Sequence, residues 1–107
     1  MKFPGTIKIG EATYKVILKS ENDAWHDYAE EWGHIDYGTR EILLSTKPVE
    51  AKRLDSLIHE VIHGIVKHMD LGREWGDENE NYVTRLSNGL SMVFKDNPEF
   101  VRLLSGD

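Results

Sequence analysis

Apolar and polar residues alternate over Thr6-Ile7-Lys8-Ile9 and again over Tyr14-Lys15-Val16-Ile17-Leu18, a period of two that predicts two strands. Gly10-Glu11 between them suits the turn of a hairpin. A second pair of strands is expected at His34-Ile35-Asp36-Tyr37 and Glu41-Ile42-Leu43-Leu44-Ser45, joined through Gly38-Thr39-Arg40. The stretch 20–33 reads two ways. Trp25, Tyr28, Ala29 and Trp32 fall at i, i+3, i+4 and i+7, which fits a short helix closed by Gly33. The same residues also fit an irregular, mobile connection whose aromatics either line a substrate cleft or pack against the sheet.

The period then changes. From Pro48 to about Asp70, Ala51, Leu54, Leu57, Ile58, Val61, Ile62, Ile65 and Met69 recur at helical spacing, with Pro48 in the first turn and Gly72 as the stop. A second helix is expected from about Asp77 to Asp96, with Val83, Leu86, Leu90, Val93 and Phe94 on one side. Asn97-Pro98 ends it, and residues 99–104 suit a short final helix. Strands first and helices afterwards predict an α+β fold in one domain, residues 1–107, with helices on one face of a small antiparallel sheet.

Composition narrows the functions available. The 107 residues carry 19 acidic against 13 basic side chains, a formal charge of −6, which disfavours wrapping nucleic acid or docking on an anionic membrane. Cysteine is absent, so disulfides and thiolate metal sites are excluded. The longest aliphatic runs, Val16-Ile17-Leu18 and Ile42-Leu43-Leu44, are far too short to span a bilayer. Met1-Lys2-Phe3-Pro4-Gly5 leads straight into the first strand without an apolar segment of signal-peptide length, so the expected compartment is cytoplasmic.

The chemistry concentrates in His59-Glu60-Val61-Ile62-His63, an HExxH segment inside the first long helix. Histidines four residues apart are rotated by only about 40°, so both imidazoles reach one metal ion. Glu60 follows the first histidine by about 100° around the axis, where it can hold a water without becoming a ligand. Zinc lowers the pKa of such a water, and the carboxylate takes its proton as the water attacks a carbonyl. The competing reading is two ordinary histidines on a partly buried helix face.

Zinc requires a third protein ligand. The HExxHxxGxxH pattern is excluded, because Val66 and Met69 stand where it needs glycine and histidine. His68, five residues after His63, is turned about 140° away and reads as a helix-end residue. The second helix is the better source: Glu80 lies about 60° from Val83 on the inward face, and Glu78 about 140° away. Asp77-x-x-Glu80 also fits a capping box, so ligand and cap compete for Glu80, with Glu78 and Glu74 as fallback ligands.

Other residues have two readings or several rivals. Asp55 could orient an imidazole or be a solvated surface charge. Gly64 could allow the second helix to approach closely, or be a tolerated helix glycine. Tyr28, Tyr37, Tyr82 and His34 are equal candidates to polarise a substrate carbonyl. Strand 41–45 could pair with an extended peptide if it forms a sheet edge above the metal.

The order of these segments, from Ile35-Asp36-Tyr37 and Glu41-Ile42-Leu43-Leu44 through Leu57-Ile58-His59-Glu60-Val61-Ile62-His63, continues into Glu78-Asn79-Glu80-Asn81-Tyr82-Val83 and Lys95-Asp96-Asn97-Pro98. Over roughly residues 6–100 it resembles small zincin-like metallopeptidases of phages and prophages, distantly similar to the ImmA/IrrE group. HExxH is the one sharply defined motif of that likeness. The resemblance implies a minimal zincin-like fold, a zinc ion on His59 and His63, Glu60 as general base, and an acidic ligand within residues 78–80. Periodicity narrows that ligand to Glu80. It further implies gluzincin-like chemistry and a bacterial host or phage origin, and the first reading is a zinc peptidase that cleaves a peptide bond in an intracellular protein. The alternative is a non-enzymatic, zinc-stabilised interaction module of phage origin, for which a base beside the ligands has no use.

Overall fold

The computed structural model describes residues 1–20 and 32–106. Among these residues four strands, β1 (Thr6–Ile9), β2 (Ala12–Lys19), β3 (Gly33–Asp36) and β4 (Glu41–Ser45), precede four helices, α1 (Glu50–His68), α2 (Gly72–Trp75), α3 (Asn79–Asp96) and α4 (Pro98–Leu104). A single 3-10 turn, Gly76–Glu78, separates α2 from α3. The architecture is α+β. The expected helical turn around Trp25 and Tyr28 lies outside the described residues.

Both hairpins form where the alternation places them. Gly10, at φ 61°, closes the first, and the second turns through residues 37–40 with the Asp36 carboxylate accepting from the Gly38 and Thr39 amides. The sheet is not wholly antiparallel, however. Its order is β1-β2-β4-β3, and β2 runs parallel to β4. Alternation tells which side chains face the core but is blind to strand direction. Ile42 and Leu44 are completely buried, and the fold meets that demand by seating β4 between two neighbours. Among the described residues β3 (Gly33–Asp36) and β1 are therefore the two edges, and strand 41–45 is internal, contrary to the expectation that it could receive a peptide.

The helices also do not all lie on the sheet. α1 packs across β1, β3 and β4, while α3 packs mainly on α1. Accordingly the described residues form two apolar clusters. One joins Ile9, Tyr14, Ile35, Ile42 and Leu44 of the sheet to Leu57 and Val61 of α1. The other joins Ile58, Ile62 and Val66 of α1 to Val83 and Leu90 of α3. Gly64 faces the sheet, where an added Cβ would sit 2.5 Å from Ile9 Cδ1, so the close approach it permits is to β1 and β3 and not to the second helix.

Pro48 lies just before the helix, and Arg53 donates back to the carbonyls of Thr46 and Pro48. α1 ends at His68 without using Gly72. Asp70 adopts φ 55°, its amide bonds the Lys67 carbonyl, and the Leu71 amide bonds the Val66 carbonyl, a Schellman closure. Leu71 and Val66 share the same apolar cluster, which supplies the hydrophobic contact typical of that closure. Among the described residues, no helix is long and apolar enough to cross a membrane.

Candidate metal centre

α1 presents His59 and His63 one turn apart, their ring centroids 4.8 Å from each other. α3 brings Glu80 from its first turn against both. Glu80 Oε1 lies 2.9 Å from His59 Nε2, and Oε2 lies 2.8 Å from His63 Nε2. One donor atom from each of the three residues falls within 4.8 Å of the others. The carboxylate faces both imidazole nitrogens at hydrogen-bonding distance, contacts that a proton on each Nε2 or a metal ion between the three groups would satisfy. The donor set suits zinc, with two neutral imidazoles and one carboxylate. The Glu80 side chain is 67% exposed, so its carboxylate has room to shift by the few tenths of an ångström that an ion requires.

The capping-box alternative for Glu80 is not what forms. α3 begins at Asn79 with Glu78 as its N-cap, and no side chain caps that end. Glu78 instead accepts from Asn81 Nδ2, so helix rotation selects Glu80 over Glu78 as the periodicity predicts. Glu74 sits in α2 and takes no part in the cluster.

Glu60 is buried, at 7% exposure, although it is a carboxylate. It lies against β3, where a Cβ on Gly33 would stand only 3.2 Å from Glu60 Cγ and Oε2. The missing side chain at Gly33 thus leaves the carboxylate its place beside the edge strand. A cleft of about 670 Å³ opens here, walled by Trp32, Gly33, His34, Ile35 and Tyr37 on one side and by His59, Glu60, His63, Glu80 and Asn88 on the other. It continues along α1 past Ser56 and Asp55 to Lys52.

Of the four candidates to polarise a carbonyl, Tyr37 and His34 line this cleft. Tyr82 is stacked edge-on against Trp75 away from it, and Tyr28 lies outside the described residues. The Tyr37 hydroxyl donates to the His63 carbonyl oxygen at 3.2 Å. Burial, followed by the nearby Glu60 charge, pushes its pKa above the ordinary phenol value, so the proton is retained.

Asp55 does not orient an imidazole. Its Oδ1 accepts from Ser91 Oγ at 2.7 Å and from Lys95 Nζ at 2.9 Å, tying α1 to the far half of α3. Partial burial opposes its ionisation, but those two bonds and the lysine charge outweigh the penalty and hold the carboxyl below its usual range. His68 serves structure: its Nε2 pairs with the buried Tyr14 hydroxyl at 2.9 Å, giving that hydroxyl a partner in the core.

Comparison with protein-family models, with curated proteins and with solved structures finds no match, which leaves the geometry of this chain to carry the functional reading.

Ser87 is not among the candidates drawn from the sequence. It is 3% exposed, on the α3 stripe that carries Glu80 and Val83, and its Oγ lies 3.4 Å from His59 Nδ1. The signal was the spacing itself: positions 80, 83 and 87 share one face, and a serine there is a polar residue where an apolar one is due.

Proposed function

We propose that this chain is a zinc-dependent, zincin-type metallopeptidase that hydrolyses a peptide bond in an intracellular protein or peptide. The observation that carries the reading is the convergence of His59, His63 and Glu80 on one point, with the buried Glu60 carboxylate in the same cleft wall. His59 Nε2, His63 Nε2 and a Glu80 oxygen would hold the ion. When bound, zinc supplies Lewis-acid polarisation and brings the pKa of a water toward neutrality.

The remaining work falls to the protein's own groups. Glu60 receives a proton from the attacking water on a carboxylate oxygen and returns it to the leaving amine. Its burial keeps bulk water from competing for that proton and strengthens its interactions with charge in the cleft. The edge strand can hold the substrate. The Ser45 amide bonds the Trp32 carbonyl, so in the antiparallel pair residues 32, 34 and 36 turn their backbone groups toward β4. Gly33 and Ile35 then turn theirs outward, along the cleft. An extended peptide added there would cross the face of Glu60. Between Lys52 and His63 the helix rises about 16 Å, the length of roughly five extended residues.

A closed, purely structural zinc site would place no buried carboxylate beside its ligands in an open cleft, which weighs against the non-enzymatic alternative. The test is Glu60→Gln, assayed by new amino termini released from a library of unstructured peptides. Turnover is expected to fall by at least about a hundredfold with zinc content unchanged. Undiminished cleavage by the variant would remove Glu60 from the mechanism.

A further inference from the structure

Resting on the metal-centre reading, we infer that Ser87 positions His59 for metal binding by holding the ring through its Nδ1. The Ser87 hydroxyl has one proton, which it donates to the Thr84 carbonyl oxygen at 3.1 Å. Toward His59 Nδ1, at 3.4 Å, it can therefore only accept, so the proton on that side of the ring belongs to Nδ1. A neutral imidazole protonated at Nδ1 carries its lone pair on Nε2, the atom that faces Glu80.

The placement is economical in parts. Glu80 and Ser87 are two turns apart on α3, within about 20° of the same direction. One rigid helix thus brings a carboxylate to the outer nitrogen of His59 and a hydroxyl to the inner one. A shift of α3 along α1 would disturb both together. The hydroxyl is not needed to fill space, because alanine would pack as well at a helix position and would bury no polar atom.

Ser91 supplies the comparison. It is buried on the same face one turn further on, at 6% exposure, and its hydroxyl is spent on Asp55. Ser91→Ala removes an interhelical hydrogen bond of the same kind but touches no ligand. The experiment is the zinc affinity of the full chain by chelator competition, with the visible spectrum of the cobalt-substituted protein as a second readout. Ser87→Ala is expected to bind zinc about ten- to a hundredfold more weakly and to shift the cobalt spectrum. Ser91→Ala should keep both at the wild-type value, and Ser87→Thr, which retains the hydroxyl, should recover most of the affinity.

Wild-type affinity and spectrum in Ser87→Ala would overturn the inference. Equal losses in Ser87→Ala and Ser91→Ala would overturn it too, since the cause would then be helix packing. A wild-type chain that binds no zinc would be seen before any variant is made, and there the metal-centre reading itself falls.

Discussion

Two glycines decide how closely the edge of the sheet can approach α1, for different ends. At Gly33 the space left free belongs to Glu60, so that glycine serves the site. At Gly64 it belongs to Ile9 and Ile35, so that glycine serves the core. A methyl at position 64 would gain about 1 kcal/mol of helix propensity yet collide with a buried isoleucine, at a cost of about 1–3 kcal/mol for overpacking. Gly64→Ala is expected to lower stability in urea unfolding, and adding Ile9→Val, which removes the colliding Cδ1, should restore part of the loss. Additive losses in the double variant would show that the clash is not the cause. The geometry of the cluster was legible at this scale, because HExxH is read from the residues themselves and helical angles turn Glu80 toward it. Gly64 was misassigned because a sequence shows a small residue but not which neighbour leans on it.

Between elements, α1 and α3 are joined by the apolar cluster around Val83, by the contacts of Glu80 with His59 and His63 near the start of α3, and by Asp55 with Ser91 and Lys95 further along. The last of these makes stability depend on pH. The Asp55 carboxyl is held below its ordinary value in the folded chain, so its contribution is complete above the unfolded pKa of about 3.9 and is lost as pH falls through the lower folded value. The effect is small, about 1 kcal/mol or less, because both partners keep solvent contact. Asp55→Asn should therefore be less stable than wild type at pH 7, with the gap closing toward pH 2 in urea titrations. A gap independent of pH would assign the loss to something other than the charge. The sequence left Asp55 open between imidazole and solvent because its partners come from residues 36 and 40 positions away.

At the scale of the molecule, the sheet, α1 and α3 form successive layers, and the cleft opens where the outer strand β3 meets both helices. Because α3 has α1 as its chief support, its apolar stripe is wider than the interface it covers. Leu86 and Val93, expected to point inward, are 46% and 40% exposed, and Ser87 and Ser91 take the buried positions. Periodicity identifies an apolar side of a helix; it does not say how much of that side another element covers. Strand order escaped the sequence for a similar reason, since pairing β2 with β4 is a long-range choice made by burial of Ile42 and Leu44.

What matters most for the proposed function is whether His59, His63 and Glu80, which two helices bring together, hold a metal ion as one centre. Elemental analysis of the full chain, purified without chelator or tag histidines, tests this directly on wild type beside Glu80→Ala and Glu78→Ala. About one zinc per wild-type chain is expected, lost with Glu80→Ala and kept with Glu78→Ala. A folded wild-type chain that carries no metal and refuses added zinc would contradict it, and the peptidase reading would go with the metal.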